Sequence, residues 1–164
     1  MTSVVLTDVP PLSRTDPGYV MQFCSAHRPP RAGIDPILCA DSALAVFALA
    51  IERPPVAETI ALLLDHERRG VCVTVVSGTT RPDDVIEVTE CLATTGASTG
   101  RLGALVLATV RPGQGAVDGD ADRWLEMSDL ASAAGVELVE WFVIGADIHC
   151  PRDLLGEPPR WRSG

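Results

Sequence analysis

Four residues near the two ends of the chain carry the side chains of a structural zinc site. Cys24-Ser-Ala-His27 lies in the N-terminal part of the sequence, and His149-Cys150 lies near the end of the last apolar segment. Thiolate and imidazole groups are the usual zinc ligands, and four of them complete a tetrahedral shell. Neither pair has the C-x-x-C or H-x₃₋₅-H spacing of typical ligand pairs. Reduced buried thiols and surface histidines are therefore the favoured interpretation, and no cofactor is expected.

Three aspartates at alternate positions form a second candidate metal site. Asp118, Asp120 and Asp122 resemble the opening of a calcium-binding loop, which also requires glycine at its sixth position and glutamate at its twelfth. Counting from Asp118, those positions hold Arg123 and Asp129. A solvated acidic turn is the prediction for this stretch.

The sequence lacks the motifs of a catalytic nucleophile and of a phosphate-binding loop. No serine or cysteine lies in a G-x-S-x-G turn, where a nucleophile would be exposed. The glycine-rich stretch Arg111-Pro-Gly-Gln-Gly115 lacks the Lys-Ser/Thr pair of a phosphate-binding loop. We interpret that stretch as a tight turn.

The spacing of apolar residues predicts the elements that must position any site. Helical segments have apolar residues three or four positions apart, and strand segments are short runs of branched apolar residues. Glycines and prolines mark the ends of both kinds of segment. In chain order the predicted elements are a helix over 41–51, strands over 60–64 and 71–76 joined as a hairpin, a helix from Pro82 to about Gly96, a strand over 105–110, a helix over 124–134 stopped by Gly135, and a strand over 136–144.

This order predicts an α/β fold with a mixed β-sheet and helices packed against it. We expect an irregular N-terminal arm over residues 1–40 and one domain over residues 41–150. Residues 151–164 are expected to form a tail that packs on the domain through Leu154, Leu155 and Trp161.

Composition narrows the classes of partner. The net charge of −9 would repel the phosphates of a nucleic acid, so direct nucleic-acid binding is not expected. The longest apolar segment, Ser42–Ile51, is shorter than the roughly 20 residues of a membrane span. Residues 1–20 have no basic start followed by a continuous apolar run, so we expect a cytoplasmic location without membrane contact.

Three stretches of the sequence carry a family resemblance. They are Val75-Val-Ser-Gly-Thr79 at the exit of the hairpin, the strand and loop over Ala104–Gly113, and the helix-to-strand passage over Ala134–Gly145. Together they resemble the JAB/MPN metalloprotease-like superfamily, in the branch typified by the bacterial RadC proteins. The resemblance covers about residues 58–145. It implies a bacterial origin and a three-layer, cytidine-deaminase-like arrangement.

The resemblance also implies a lost metal site. Active members have a strand that ends in His-x-His-Pro and an aspartate eleven residues after the second histidine, and these three residues bind zinc. With Pro112 as the anchor, the ligand positions hold Thr109, Arg111 and Asp122. Threonine is a poor zinc ligand, and arginine places a permanent cation where the metal would lie. Gly119 stands at the position of the family's conserved serine, so zinc-dependent hydrolysis is not expected.

Two hypotheses remain open for the charged residues of this region. Arg111 either replaces the metal as a fixed charge paired with Asp122, or it points to solvent while Asp122 caps a helix. Glu58 lies about where the family has its catalytic glutamate, and it is a weak candidate for a base. Its spacing to Asp65 is one residue short, so we assign no role to it.

The sequence thus favours a catalytically inactive domain that serves as a protein-interaction or scaffold module. Self-association or a protein partner is what the resemblance implies, with Trp124, Trp161 and the apolar edge of the C-terminal strand as candidate contact points. One alternative is an enzyme with relocated chemistry in a cleft around Arg111, Asp122 and Glu58. A small structural zinc protein is the other.

Overall fold

The computed structural model describes residues 28–162. Four helices and five strands lie in this range. They are α1 (Ala40–Ala50), β1 (Glu58–Leu64), β2 (Gly70–Ser77), α2 (Asp84–Thr99), β3 (Ala104–Val110), α3 (Asp120–Ala133), β4 (Glu137–Ile144), β5 (Ile148–His149) and α4 (Pro151–Leu154). No helix among these is long and apolar enough to cross a membrane.

The five strands form one mixed sheet in the order β2-β1-β3-β4-β5. β1 pairs antiparallel with β2 and with β3, whereas β3 and β4 run parallel and β5 pairs antiparallel with β4. The predicted hairpin is therefore present, with Ile60 opposite Val75 and Leu62 opposite Val73. The α/β class with a mixed sheet is confirmed, and β2 forms one edge of the sheet.

Helices cover both faces of the sheet and enclose two apolar clusters. On one face α1 packs through Phe47 against a cluster that includes Ile60 and Phe142. On the other face α2 and α3 pack against Leu107 and Trp141. Every residue of the central strand β3 is buried, as its continuous run of apolar residues predicts. The sheet thus forms the middle of three layers.

The ends of α2 and α3 follow from two glycines in the left-handed region. Gly100 caps α2 with a φ of 67°, and Gly135 follows the end of α3 with a φ of 76°. Residues with a side chain rarely adopt this conformation. α3 begins at Asp120, with Gly119 at its N-cap position, so Asp122 lies inside the first turn and is not the cap.

The residues after β5 pack on the domain through other side chains than the two predicted leucines. Leu154 and Leu155 are 67% and 40% exposed, so the predicted packing through them is wrong. Trp161 packs against the cluster beneath α1, and the Arg160 guanidinium lies 4.4 Å from the centroid of the Trp124 ring. Trp124 itself is fully buried, so it is a core residue rather than a free contact residue.

Candidate functional site

A buried ion pair joins the end of β3 to the start of α3. Arg111 follows β3 directly, and its backbone N–H donates to the carbonyl of Ile144 at 2.9 Å. Its Nη1 and Nη2 atoms donate to the two carboxylate oxygens of Asp120 at 2.7 and 3.0 Å. Arg111 is 8% exposed and Asp120 is 1% exposed. This bidentate geometry is the strong form of a charge-assisted hydrogen bond.

Asp120 has no capacity left for a metal ion. Besides the two bonds from Arg111, its carboxylate accepts hydrogen bonds from the backbone N–H of Val117 at 2.9 Å and from Arg123 Nη1 at 3.0 Å. Burial acts to raise the pKa of Asp120, but the bonds from Arg111, Val117 and Arg123 outweigh it and hold the pKa below its ordinary value. Asp120 is therefore a fully partnered carboxylate at neutral pH.

Arg111 pairs with Asp120 and not with Asp122, so both hypotheses for this region are wrong. Asp122 is exposed, whereas the guanidinium of Arg111 is buried and does not point to solvent. The physical reason is the start of α3. Residues two positions apart on a helix do not share a face, so a helix that begins at Asp120 directs Asp122 away from β3.

The loop between β3 and α3 packs closely on the end of β4. A Cβ atom at Gly145 would lie 1.6 Å from the carbonyl oxygen of Gln114, so only glycine fits there. Arg111 Nη1 also donates to the carbonyl of Gly115 at 3.2 Å, which fixes the loop from inside. The glycine-rich stretch is therefore a turn closed around the arginine, as predicted from its lack of a phosphate-binding motif.

Thr109 is also occupied by a neighbour. Its hydroxyl accepts a hydrogen bond from Trp141 Nε1 at 2.9 Å, and the Arg111 guanidinium lies 5.8 Å from the centroid of the same ring. Thr59 lies opposite Thr109 in the sheet, and its hydroxyl is 3.0 Å from that of Thr79. The aligned ligand positions therefore do not fit a zinc ion, because one is hydrogen-bonded, one is cationic and the third points away.

A small cavity of about 160 Å³ lies beside Arg111, between the ends of β2 and β3. Neither Glu58 nor Asp122 lines this cavity. The three residues proposed for relocated chemistry therefore do not converge in one cleft. The lining residues are Ala57, Thr79, Thr80, Arg81, Pro82, Arg111, Pro112, Gln114 and Val117.

Glu58 lies on the face of the sheet opposite to Thr109. Strand residues alternate between faces, so Glu58 shares the α1 face with Ile60, whereas Thr109 contacts Trp141 on the other face. Glu58 is 1% exposed, and its Oε1 atom accepts a hydrogen bond from the backbone N–H of Glu52 at 3.1 Å. Its Oε2 atom is buried without a partner. Burial accordingly raises the pKa of Glu58.

The raised pKa predicts a pH-dependent loss of stability. The contribution of Glu58 is fully present below its unfolded pKa of about 4.3 and is lost as pH rises through the folded pKa. Glu58→Gln cannot ionise, so we expect its free energy of unfolding to fall less between pH 4 and pH 7 than that of wild type. Urea unfolding at several pH values measures this slope. Glu126→Gln, at an exposed position, is the control, and equal slopes for Glu58→Gln and wild type would contradict the prediction.

The structure describes two of the four candidate zinc residues, His149 and Cys150. Cys24 and His27 lie outside the described residues. Ile148 and Cys150 pack against the cluster beneath α1, whereas His149 is exposed between them. Neighbouring residues of an extended chain point to opposite faces, so His149 and Cys150 diverge. Within residues 28–162, no group of three His, Cys, Asp or Glu side chains is arranged to hold a metal ion.

The cysteines of the described range are free thiols, but they are not the buried thiols that we expected. Cys39, Cys72 and Cys91 are exposed, and Cys150 is half-buried. Burial, followed by the negative charge of Glu140, raises the pKa of Cys150 to about 12.

A second buried ion pair, which the sequence did not indicate, attaches the C-terminal residues to β4. Arg152 Nε and Nη2 both lie 3.0 Å from Glu140 Oε2, and the side chains of Arg152 and Glu140 are 6% and 2% exposed. Arg152 Nη1 also donates to the backbone carbonyl of Glu157. The guanidinium of Arg152 thus balances the charge of the buried Glu140 carboxylate, and we assign the pair a structural role.

The edge strand β2 is the least covered apolar part of the sheet. Its eight residues, Gly70-Val-Cys-Val-Thr-Val-Val-Ser77, contain no charge and no proline. Val71, Val73 and Val75 are 53%, 40% and 43% exposed. Val73 and Val75 lie opposite core residues of β1, so they continue the α1 face of the sheet beyond the reach of α1.

An apolar hollow of about 190 Å³ lies next to these valines, between β2 and the chain that enters α1. Its apolar lining includes Ile37, Val46, Leu62, Val71 and Val73.

No family model matches the chain, and no curated protein matches it. The closed ion pair at the end of β3 and the exposed edge of β2 are the two observations that bear on function.

Proposed function

We propose that this chain is a catalytically inactive domain of the JAB/MPN type that works as a protein-interaction module through the edge strand β2. The observation that carries the proposal is the exposed, uncharged edge of the sheet, with Val71, Val73 and Val75 each at least 40% exposed. The three-layer arrangement is compatible with the cytidine-deaminase-like fold that the resemblance implies.

The absence of hydrolase chemistry in the proposal rests on the contacts of Arg111. A guanidinium cannot bind zinc, and here it is held in place by a buried carboxylate. Thr109 has its hydroxyl bound to Trp141, and Asp122 is exposed on α3. Of the three residues that would form the metal site, Thr109 and Arg111 are thus hydrogen-bonded within the fold, and Asp122 points away from the other two.

Edge strands favour association because their outer backbone groups have no partner in the sheet. Natural proteins usually protect such edges with lysine, proline or a very short strand. β2 has eight residues and neither kind of side chain. A bound strand would pair with backbone groups along the outer edge of β2 and cover the valines, which is the recognition mode called β-augmentation.

The alternative of relocated enzyme chemistry receives less support. Among the residues that the structure describes, no carboxylate, histidine or cysteine side chain lines the cavity beside Arg111. Glu58 lies on the opposite face and Asp122 is exposed, so neither is placed to act as a base toward a substrate there. Structural zinc binding at Cys24, His27, His149 and Cys150 remains a separate possibility, and it does not conflict with association through β2.

Site-specific photo-crosslinking in the cells that make the protein tests the proposal. With a photoreactive amino acid at position 73, on β2, we expect crosslinked species. Mass spectrometry of these species should identify one defined segment of the partner that is joined to position 73. The same probe at position 126, on the exposed face of α3, is the control and should give no such species. Equal labelling from both positions, or none from position 73, would overturn the assignment of β2 as the interaction surface.

A further inference from the structure

We propose that the segment Tyr19-Val-Met-Gln-Phe23 of the same chain occupies the apolar hollow beside β2 and competes there with the partner. This inference rests on the proposed function, because it takes the edge of β2 to be the interaction surface and names what regulates access to it. The hollow lies between α1 and β2, with Val46 on one side and Val71 and Val73 on the other.

The described chain begins beside this hollow. Pro36 forms an antiparallel bridge with Arg69, just before β2. The backbone N–H of Gly33 donates to the carbonyl of Gly70, the first residue of β2, at 3.0 Å. Residues 30–32 then line the hollow. Followed toward the N-terminus, the chain therefore passes from the start of β2 to the hollow, and the preceding residues start from its rim.

The segment is close enough in sequence to reach the hollow. Phe23 precedes Pro30, a lining residue of the hollow, by seven residues, which span at most about 25 Å when extended. Val71 and Val75 are four residues apart on β2, which corresponds to about 13 Å. So short a connection gives the segment an effective concentration of about a millimolar, so a modest intrinsic affinity is enough for binding.

The segment matches the hollow in polarity. Four of its five residues are apolar, and Tyr19 and Phe23 are aromatic, so it can cover a large apolar area. The facing surface includes the exposed Val73 and Val75 of β2. It also includes Leu49, which is 71% exposed and lies one helical turn after a lining residue of the hollow on α1.

Neither the segment nor the strand that it would cover carries a charge. Residues 17–26 contain no charged side chain, and residues 70–80 contain none either. Arg31, at the rim of the hollow, is already paired with Asp35 at 2.9 Å. Binding of the segment therefore buries no unpaired charge, whose transfer out of water would be costly.

The segment and a partner strand would cover the same valines, so only one of them can be bound at a time. Partner binding then requires the segment to leave the edge of β2. The apparent affinity for the partner is reduced by the fraction of chains in which that edge is free. A change that releases the segment should therefore strengthen partner binding.

Photo-crosslinking of the purified full chain tests the inference. With the photoreactive amino acid at position 73, we expect crosslinks within one chain of 17.4 kDa that join this position to residues 19–23. The probe at position 126 is the control and should give no crosslink to residues 19–23. Crosslinks from position 73 that double the mass would make a second copy the occupant and would overturn the inference.

A pair of double variants tests the identity of the segment. Tyr19→Asp combined with Phe23→Asp should lower the yield of the internal crosslink about tenfold or more, because carboxylates resist burial in an apolar hollow. Val4→Asp combined with Leu6→Asp adds the same charges farther from the hollow in sequence, and it should leave the yield unchanged. Circular dichroism of each variant checks that it is folded. No internal crosslink to residues 19–23, or equal yields from the two double variants, would overturn the inference.

The same variants in cells separate this inference from the proposed function. Crosslinks from position 73 to a partner should increase when Tyr19→Asp and Phe23→Asp release the edge. Partner crosslinks in cells without the internal crosslink in the purified chain would overturn the inference and leave the interaction module standing. An internal crosslink with no partner in cells, even from the released variant, would overturn the interaction module and leave the segment assigned to the hollow.

Discussion

Asp120→Asn is expected to lower the free energy of unfolding by about 3–5 kcal/mol, because it leaves the buried guanidinium of Arg111 without its counter-charge. Asp122→Asn makes the same chemical change two residues away, on the exposed face of α3. We expect its effect to stay within about 0.5 kcal/mol. The difference in the free energy of unfolding between these two variants measures how much the buried carboxylate stabilises the fold.

The difference should also depend on pH. The pKa of Asp120 in the folded chain is lower than its ordinary value, so its contribution is present above about pH 3.9 and is lost as pH falls through the folded pKa. Urea unfolding of both variants and wild type at pH 7 and in acid checks both statements. A large loss for Asp122→Asn with little loss for Asp120→Asn would show that the pairing of Arg111 is assigned incorrectly.

Local patterns in the sequence were sufficient to predict the class of the fold and every helix and strand of the described residues except β5 and α4. The hairpin of β1 and β2 follows from two runs of branched apolar residues around a polar loop, and both its strands and its pairing are confirmed. The burial of β3 on both faces follows from Leu105-Val-Leu-Ala-Thr-Val110, in which apolar residues occupy both the odd and the even positions. Such features depend on residues that are close in the sequence, so they can be predicted from the amino-acid sequence alone.

The ion pairs could not be predicted because they depend on exact boundaries and on distant contacts. A difference of two residues, about half a helical turn, in the start of α3 decides whether Asp120 or Asp122 faces β3. The signal was limited to Gly119, which precedes α3 in the left-handed region with a φ of 88°. Glu140 bonds Arg152 across twelve residues, and β4 shifts register opposite Leu105 and Val106, so alternation along the strand gave no sign of its burial.

The exposure of β2 was also outside the reach of sequence patterns. A run of valines predicts a strand, but it does not say whether the strand lies at the centre or the edge of a sheet. Only the strand order places Val71, Val73 and Val75 at an uncovered edge. The proposal of association through β2 starts from this strand order.

We propose that the protein's own ion pair fills the place where hydrolases of the JAB/MPN type hold zinc. Zinc at that place would need Asp122 as a ligand together with Thr109 and a cationic Arg111. We expect Asp122→Asn to leave the zinc affinity and zinc content of the purified full chain unchanged. Cys150→Ser is the companion variant, because it reports on zinc held at the other candidate residues, Cys24, His27, His149 and Cys150.

The decisive measurement is a zinc titration by calorimetry, combined with elemental analysis of protein purified without chelators, on wild type and both variants. The predicted result is a zinc content and a binding curve that are the same for wild type and Asp122→Asn. One zinc per chain in wild type that Asp122→Asn loses and Cys150→Ser retains would contradict the claim. That result would restore a metal-dependent enzyme as the interpretation of this site.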